Sequence, residues 1–304
     1  MSGATIPAGI TVTSVDVSST IWRLDGDVVQ LVNVYGTLEK ITLDADGRTF
    51  TNRIIQMRTG GKLQYCNSIN TQNQSNTGTF PRTFIVTNAN NVTVQYNTFN
   101  NLRTLTAKVA TGDDCALDIT QSSNVVFSYN KLIQTVSADG DLLFRIGQST
   151  DVHVEHNDFE NVGNRILGFD PGTADIYVDY NNFLITRVAD AGAGNIVMGH
   201  GNLGISTGSF SFSHNTIRTT NTDSNAIIQT NYVDAGQLDG FVAIGNRVVC
   251  SGSGNAIEFM DINNDVERAL FMDNTTIGCG AFLIDAGINT KSVGNDNFRN
   301  GVEE

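Results

Sequence analysis

The sequence is poor in proline, cysteine, tryptophan and basic residues. It has 3 prolines, 4 cysteines and 1 tryptophan among 304 residues, and its 18 Lys and Arg residues are outnumbered by 31 Asp and Glu residues, for a formal net charge of −13. Nucleic acids and acidic membrane surfaces both require a basic face, so this balance argues against either partner. It leaves room for an anionic sugar bound by a local arginine cluster.

Long hydrophobic runs and a leader pattern are also missing. No stretch of 18 apolar residues occurs, which excludes a membrane-spanning helix of ordinary length. The segment from Met1 to Pro7 has neither the basic nor the apolar region of a signal peptide. We therefore expect a virion protein released by lysis, or another extracellular protein without a signal peptide.

The 4 cysteines are too few for a disulfide framework in a chain of this length. Cys250 and Cys279 are separated by 29 positions, close to one repeat of the pattern described next, so they are expected on adjacent coils. Two buried thiols are the expected state, because disulfides are rare in proteins made in the cytosol. Whether the two are bonded stays open.

One short segment recurs along the chain, first clearly as Asn91-Val-Thr-Val-Gln-Tyr-Asn97-Thr-Phe99. Its final asparagine returns, with weaker copies at both ends, at Asn67, Asn97, Asn130, Asn157, Asn181, Asn215, Asn246, Asn274 and Asn295. The 8 steps from Asn67 to Asn295 cover 228 residues, a mean of 28.5, and single steps run from 21 to 34. A fixed motif with spacers of variable length indicates stacked turns whose loops differ in length.

Within each copy, apolar and polar residues alternate, which is the period of a β-strand. The asparagine that ends each copy is expected to form a vertical column, bonded to the turn and to its counterparts above and below. The residue before it is aromatic or histidine: Tyr96, Tyr129, His156, Tyr180 and His214. We interpret that second column as structural stacking, so His156 and His214 are not catalytic candidates.

Two further strands accompany each motif strand, one before it and a very short one after it. Three parallel strands per turn predict an all-β fold, a single-stranded right-handed parallel β-helix of about 10–11 coils. Residues 1–50 alternate similarly but lack the asparagine motif, and we assign them to an N-terminal cap and the first coils. Residues 51–304 are then expected to be one continuous domain.

The Asn-Val-x-Val-x-Tyr-Asn-x-Phe motif resembles the repeat of the pectin-lyase-like superfamily, over about residues 50–300. That superfamily includes polysaccharide lyases, polygalacturonase-type hydrolases and phage tailspikes. The resemblance therefore implies the fold and a polysaccharide partner, but it does not select one reaction. It also implies that the strand before the short turn forms the floor of a substrate groove. The loops expected to form the groove wall are 101–114, 133–141, 160–165, 184–195 and 218–225.

Aligning those floor strands predicts outward polar columns. The catalytic candidates are Asp118, Arg145, Asp170 and His200, and the candidates for substrate binding are Arg165, Gln229, Asn231 and Glu258. Asp118 and Asp170 would stand two coils apart, about 9–10 Å, at the edge of the roughly 6.5–9.5 Å carboxyl spacing of inverting glycosidases. A lyase would instead use Arg145, Arg165 or His200 as the cation and the base.

A second cluster is predicted on the motif strands, from His153, Glu155, Tyr177 and Asp179. Glu155 and Asp179 should stand about one strand spacing apart, roughly 5 Å. This is close enough to raise the pKa of one of them, and it matches the roughly 5–5.5 Å of retaining glycosidases.

The same columns turn apolar further on, at Val242, Ile244, Leu270 and Met272, which predicts a protein interface and a homotrimer or larger virion assembly.

Two short motifs, Gly112-Asp-Asp114-Cys115 and Gly199-His-Gly201, resemble the polygalacturonase signatures. The Asp pair of Gly112-Asp-Asp114-Cys115 is too far from His200, 87 residues from Asp113 to the histidine, and no downstream Arg-Ile-Lys occurs, so that chemistry is disfavoured. Asp113, Asp114, Asp139 and Asp141 could bind Ca²⁺ at the loop ends, the alternative being solvated carboxylates. No other metal or cofactor is expected.

These observations favour a carbohydrate-active β-helix, with a phage tailspike-like depolymerase, either hydrolase or lyase, as the leading hypothesis. The alternative is a non-catalytic virion protein that uses the same rigid face for receptor binding or decoration. A bacterial surface adhesin is a third possibility, which the missing export signal disfavours.

Overall fold

The computed structural model describes residues 3–23, 30–47, 53–71, 82–102, 115–134, 142–163, 165–170, 172–187, 196–198, 209–220, 227–229, 238–251, 260–262, 266–279, 283–285, 291–292, 298–299 and 302–303. These residues form β-strands joined by turns and include no helix. Accordingly, this part of the chain has no helix with the length and apolarity needed to cross a membrane.

The chain divides into two compact units, residues 1–145 and 146–304. In the first unit, successive strands enter three parallel sheets in turn. Sheet 1 contains Ala4–Ile6, Gln30–Val34, Arg53–Met57, Arg82–Thr87 and Cys115–Thr120; sheet 2 contains Thr11–Thr13, Thr37–Glu39, Lys62–Gln64, Asn90–Gln95 and Ser123–Ser128; sheet 3 contains Ile21–Arg23, Thr42–Asp44, Asn67–Ile69, Thr98–Leu102 and Lys131–Gln134.

The second unit has the same three sheets, and the strand Leu142–Gly147 spans the point of division. Sheet 1 contains Arg165–Phe169, Ile196–Met198, Ile228–Gln229, Met260–Ile262 and Leu283–Asp285; sheet 2 contains Thr150–Glu155, Ala174–Asp179, Phe210–Ser213, Phe241–Ile244, Leu270–Met272 and Lys291–Ser292; sheet 3 contains Asp158–Gly163, Asn182–Arg187, Thr216–Thr219, Arg247–Cys250, Thr275–Ile277, Phe298–Arg299 and Val302–Glu303. Leu238–Asp239 and Val266–Glu267 form a separate parallel pair, and only the last pair of sheet 3 is antiparallel among the described strands.

This architecture confirms the predicted right-handed parallel β-helix with three strands per coil. Along the described chain, 11 strands take the sheet 1 position, in agreement with the 10–11 coils expected. The assignment of residues 51–304 to one continuous domain stays a prediction.

Alternation in the motif strands builds the core. In the first unit, Val92 pairs with Val125 and Val94 with Phe127, and all four side chains are buried. The intervening Thr93 is half-buried on the outer face. Complete burial of such a side chain stabilises the folded chain by about 1.5–3 kcal/mol. The repeated pattern therefore forms a continuous apolar core that runs from one coil to the next.

The predicted asparagine column is present in both units from Asn97 onward, but the inclusion of Asn67 is wrong, because Asn67 pairs in register with Thr98 and Cys66 occupies the column position. Asn97 donates from its side chain to Asn130 Oδ1 at 2.9 Å and to the Leu63 carbonyl at 3.0 Å. In the second unit, Asn157, Asn181, Asn215 and Asn246 each donate to Oδ1 of the next asparagine, ending at Asn274, and all five are buried. Each amide therefore satisfies buried backbone groups that would otherwise lack partners.

The aromatic column is also present, and its residues adopt an unusual backbone conformation. Tyr96 and Tyr129 stack with centroids 5.1 Å apart in the first unit, and His156 and His214 stack on either side of Tyr180 in the second. All five have φ between 56° and 59°, the left-handed region that non-glycine residues rarely adopt. The turn from sheet 2 to sheet 3 adopts this conformation in each of these five coils.

The cysteines differ from expectation in one respect. Cys250 and Cys279 are neighbours on adjacent coils, as predicted, but they form a disulfide with Cα atoms 5.2 Å apart. The expectation of two free thiols is wrong, because one repeat of separation brings the side chains within bonding reach. Cys66 and Cys115 are buried and take no part in a disulfide, and burial raises the pKa of the Cys66 thiol to about 11.

Candidate functional site

The outward column predicted in sheet 1 of the first unit exists in register but is not open to solvent. Gln56 pairs with Ile85 and Ile85 with Asp118, and their exposed fractions are 1%, 5% and 3%. The expected exposure of Asp118 in a groove is therefore wrong. Arg82 Nε lies 3.6 Å from Asp118 Oδ2, and both side chains are buried. Such a pair is needed because an isolated buried charge is costly.

Asp170, in the second unit, is also more enclosed than predicted, with 5% of its surface exposed. Its backbone NH donates to the Ile146 carbonyl at 2.9 Å. Its carboxyl group lies against Gly147, where an added Cβ would come within 2.9 Å of Oδ2. Arg145 is half-buried. The catalytic roles assigned to Asp118, Arg145 and Asp170 stay predictions.

Several other candidates cannot be compared with the structure in the same way. His200, Asn231, Glu258 and the possible calcium ligands Asp113, Asp114, Asp139 and Asp141 lie outside the described residues. The backbones of Arg165 and Gln229 lie in sheet 1 strands, and their side chains lie outside the description. Within the described residues, no group of three or more His, Cys, Asp or Glu side chains is arranged to hold a metal ion.

The second predicted cluster is assembled on sheet 2 of the second unit. His153 pairs in register with Tyr177, and Glu155 with Asp179. Because side chains alternate across a strand and the intervening Val154 is buried, these four lie together on the outer face. Glu155 and Asp179 are thus on adjacent parallel strands, with a strand spacing of about 4.7–4.9 Å.

His153 is held between two carboxylates of its own strand. Its Nδ1 lies 2.8 Å from Glu155 Oε1, and its Nε2 lies 3.1 Å from Asp151 Oδ1. Partial burial opposes the charged ring and lowers the pKa of His153, but the hydrogen bonds and charges of Glu155 and Asp151 outweigh it, so the pKa is raised overall. The geometry therefore favours an imidazolium that fixes the Glu155 carboxylate.

Asp179 is bonded through one oxygen only. Ser211 Oγ and the backbone NH of Ser213 both donate to its Oδ1 at 2.8 Å, and Oδ2 makes no hydrogen bond within the described residues. Burial raises the pKa of Asp179, and the nearby charge of Glu155 raises it further, against the lowering effect of the Ser211 and Ser213 bonds. A proton on this residue would therefore sit on Oδ2.

Tyr177 offers a flat surface beside these carboxyl groups. Its ring stacks on His153 with centroids 4.6 Å apart. The next residue of the same column is the small Ser211, and Tyr177 has no second ring partner within the described residues. The ring face toward Ser211 is therefore not covered by another aromatic ring within the described residues.

The columns turn apolar beyond the serines, as predicted. Val242 pairs with Leu270 and Ile244 with Met272, and all four are half-buried. The structure thus confirms that these side chains share columns, while the assembly inferred from them stays a prediction.

The sequence analysis did not identify three partners of the cluster, namely Asp151, Ser211 and Ser213. In sheet 1 it did not identify Arg82, the partner of Asp118. Period-two alternation could have revealed the first three, because Asp151-Val-His-Val-Glu155 and Ser209-Phe-Ser-Phe-Ser213 place every second residue on one face. No comparable signal marks Arg82, which opens its strand outside the asparagine motif.

Comparison with known proteins gives little beyond the fold. No protein-family model and no curated protein matches the sequence. Among solved structures, the endo-xylogalacturonan hydrolase of Aspergillus tubingensis is similar, with 15% sequence identity, a TM-score of 0.39, and coverage of 97% of this chain and 86% of that one. A likeness this distant carries no information on chemistry, so the function must be argued from the side chains.

Proposed function

We propose that this chain hydrolyses a polysaccharide, with Glu155 and Asp179 as the reacting pair. The observation that carries the proposal is the register of these two carboxyl groups on adjacent strands, together with the raised pKa of Asp179. A strand spacing of about 4.8 Å suits the roughly 5–5.5 Å separation that retaining glycosidases use.

In this proposal Asp179 is the general acid and Glu155 the nucleophile. Asp179 Oδ2 donates its proton to the glycosidic oxygen as the bond from that oxygen to the anomeric carbon breaks. Glu155 attacks the anomeric carbon and forms a glycosyl ester. Water then displaces Glu155 and gives its proton back to Asp179. Glu155 Oε1 is occupied by His153, so Oε2 is the attacking atom.

The open face of Tyr177 is the proposed platform for one sugar ring. Sugar rings stack on aromatic faces through their C–H groups, and Tyr177 lies two residues from Asp179 on the same face of the strand. A ring stacked there would lie beside the acid. Tyr177→Ala is expected to raise KM more than it lowers kcat.

Hydrolysis is favoured over elimination by the charges around the pair. A lyase needs a cation to neutralise the uronate carboxylate. Within the described residues, the charged side chain that contacts Glu155 is His153, and this ring is already shared between Glu155 and Asp151. Such an acidic surface suits a neutral polymer or one that carries amino groups.

The test is an assay of the purified chain against a panel of capsular, plant and algal polysaccharides. New reducing ends without absorbance from unsaturated uronates are expected. Glu155→Gln and Asp179→Asn should each lower kcat/KM by about 10²–10⁴-fold. Asp175→Asn is the matched control, because it makes the same change on the same strand at an exposed carboxyl group whose hydrogen bonds within the described residues are to Ser209. The activity of this variant should stay unchanged.

Other outcomes would redirect the assignment. Unsaturated products would indicate a lyase, and binding without products across the panel would favour the receptor-binding alternative. Full activity in both carboxyl variants, with loss in Asp118→Asn or Asp170→Asn, would move the reaction to sheet 1.

We further propose a tailspike-like homotrimer in a virion or another extracellular setting. Its support is the pair of half-buried apolar columns that contain Val242, Ile244, Leu270 and Met272. Light scattering should give three times the chain mass, and Val242→Asp should reduce it to that of a single chain. A monomer at micromolar concentration would contradict the trimer.

A further inference from the structure

Two serines on the strand after Asp179 form a chain of hydroxyl groups that ends at its carboxyl group. Ser211 pairs in register with Tyr177 and Ser213 with Asp179, so both serines belong to the outer columns of sheet 2. Ser211 Oγ donates to Asp179 Oδ1 at 2.8 Å, and the two serine oxygens are 3.0 Å apart. A hydroxyl group has one proton, and that of Ser211 is used on Asp179, so the bond between the serines is donated by Ser213.

The oxygen Oδ1 of Asp179 has no capacity left for a proton. The backbone NH of Ser213 donates to it at 2.8 Å, in addition to the Ser211 hydroxyl. These two bonds use both of its lone pairs. A proton on Oδ1 would therefore remove at least one bond from a half-buried group. The carboxyl group is left to gain and lose its proton through Oδ2.

The chain contains a second serine–aspartate contact of the same kind outside the reacting pair. Ser209, two residues before Ser211, donates to Asp175 Oδ1 from its hydroxyl at 2.9 Å and from its backbone NH at 3.2 Å. Asp175 is exposed, whereas Asp179 is half-buried. A hydrogen bond to a carboxylate is stronger where water is partly excluded, so the Ser211 bond has the larger effect on its acid.

We infer that Ser211 is a positioning residue of the proposed hydrolysis. Its hydroxyl, held in place by Ser213, keeps Asp179 Oδ1 unprotonated and leaves the proton on Oδ2, the atom that delivers it to the glycosidic oxygen. Ser211 acts through Asp179 and makes no bond to the reacting atoms. The inference rests on the function proposed above and deepens it, because it assigns the control of the acid to a neutral hydroxyl group.

The direction of the effect follows from which form of Asp179 the hydroxyl stabilises. The bond from Ser211 favours the ionised carboxyl and lowers the pKa of Asp179, so Ser211→Ala should raise that pKa. The titratable groups around Asp179 within the described residues are His153 and Glu155 on the preceding strand, Tyr177 on its own strand and His214 after the following strand. The substitution leaves all of them in place, so a change in this pKa belongs to the hydroxyl.

The experiment combines proton binding and kinetics of the whole chain. Carbon-13 NMR of the side-chain carboxyl groups reports the pKa of Asp179, whose resonance is assigned by its loss in Asp179→Asn. In Ser211→Ala this pKa and the alkaline limb of the kcat/KM profile should move upward together. At pH values below that limb, kcat should fall by about tenfold, the effect of about one hydrogen bond, with little change in KM.

Two variants serve as matched controls for the lost hydroxyl. Ser211→Thr keeps a hydroxyl group at this position and should restore both the pKa of Asp179 and kcat. Ser209→Ala makes the same deletion two residues earlier, at the exposed Asp175, and should leave the pKa of Asp179 and the kinetics unchanged.

The two readouts separate this inference from the function on which it rests. A raised pKa of Asp179 in a chain that cleaves no polysaccharide would refute the hydrolysis and support the Ser211 bond as the control of the proton. An unmoved pKa in Ser211→Ala overturns the inference, as does a loss of kcat that Ser211→Thr does not restore. If Ser211→Ala fails to fold, Ser213→Ala removes the hydroxyl that holds Ser211 and keeps the backbone NH. The pKa of Asp179 should then rise by less, and an unchanged pKa in that folded variant overturns the inference.

Discussion

His153 contacts two carboxylates through its ring nitrogens, and one face of its ring stacks on Tyr177. The raised pKa of His153 means that its imidazolium stabilises the folded chain. This stabilisation is complete below the pKa of an unfolded histidine and is lost as the pH rises through the higher pKa of the folded state. Asp179 acts in the same direction, since its raised pKa favours the protonated form on folding.

Glu155→Gln is therefore expected to lower the pKa of His153, because it removes the nearer carboxylate and leaves only Asp151. The measurement is a proton NMR titration of the imidazole resonances, assigned with a His153→Gln variant. Asp175→Asn, which does not contact the ring, should leave the titration unchanged. An unaltered pKa in Glu155→Gln would contradict the bond between these side chains.

Asn181 shows what a single residue of the asparagine column contributes. Its side chain donates to the Val154 carbonyl at 2.7 Å and accepts from the Asn157 backbone NH at 2.9 Å, fully inside the coil. Asn181→Ala leaves at least two buried backbone groups unpaired, at about 1–3 kcal/mol each. We expect the free energy of unfolding to fall by about 3–5 kcal/mol in urea denaturation.

The neighbouring Asn182 provides the control for that change. Its side chain reaches Asp158 at 3.2 Å on the exposed surface, so Asn182→Ala should cost less than about 1 kcal/mol. Equal losses in the two variants would mean that the buried column is not what stabilises the coil.

At the scale of the turn element, the aromatic column ends at a glycine for a steric reason. Gly245 follows His214 in the column and has φ +66°, and an added Cβ would come within 2.5 Å of His214 Nδ1. The histidine ring thus occupies the space of the missing side chain. Gly245→Ala should lower the free energy of unfolding by about 2–4 kcal/mol, from left-handed backbone strain plus overpacking.

Gly240→Ala separates these two causes. Gly240 has φ +84° but nothing within 4 Å of an added Cβ, so only the backbone cost of about 1–2 kcal/mol applies. When His214 is already replaced by Ala, Gly245→Ala should lower the free energy of unfolding only as much as Gly240→Ala does. Failure to recover it would show that the ring does not fill this space.

The elements that could be predicted from sequence are those that depend on local repetition. Register, the asparagine column and the Glu155–Asp179 pair all follow from a motif that fixes which residues share a face. The burial of Asp118 and its pairing with Arg82 could not be predicted in this way. Both depend on what covers sheet 1, and the segments between the motifs have no common pattern.

The disulfide of the second unit could not be predicted from the sequence either. The spacing of Cys250 and Cys279 predicted that they lie on adjacent coils, but not that they are bonded. In a solenoid each coil contacts mainly its neighbours, so a link between adjacent coils stabilises that stretch locally. A crosslink over 29 residues contributes about 2–4 kcal/mol. Its presence also fits an oxidising environment, such as the extracellular setting proposed above.

Reduction of the whole molecule tests that contribution. Dithiothreitol should lower the thermal midpoint and increase hydrogen exchange in the strands Arg247–Cys250 and Thr275–Ile277, because the unfolded chain regains the freedom that the crosslink removes. The Cys250→Ala/Cys279→Ala variant should match the reduced protein and be insensitive to dithiothreitol. Cys115→Ala controls for the loss of a buried thiol, because its stability should be lower by the same amount with or without the reductant. A midpoint of the unchanged protein that does not move on reduction would exclude a stabilising bond between these coils.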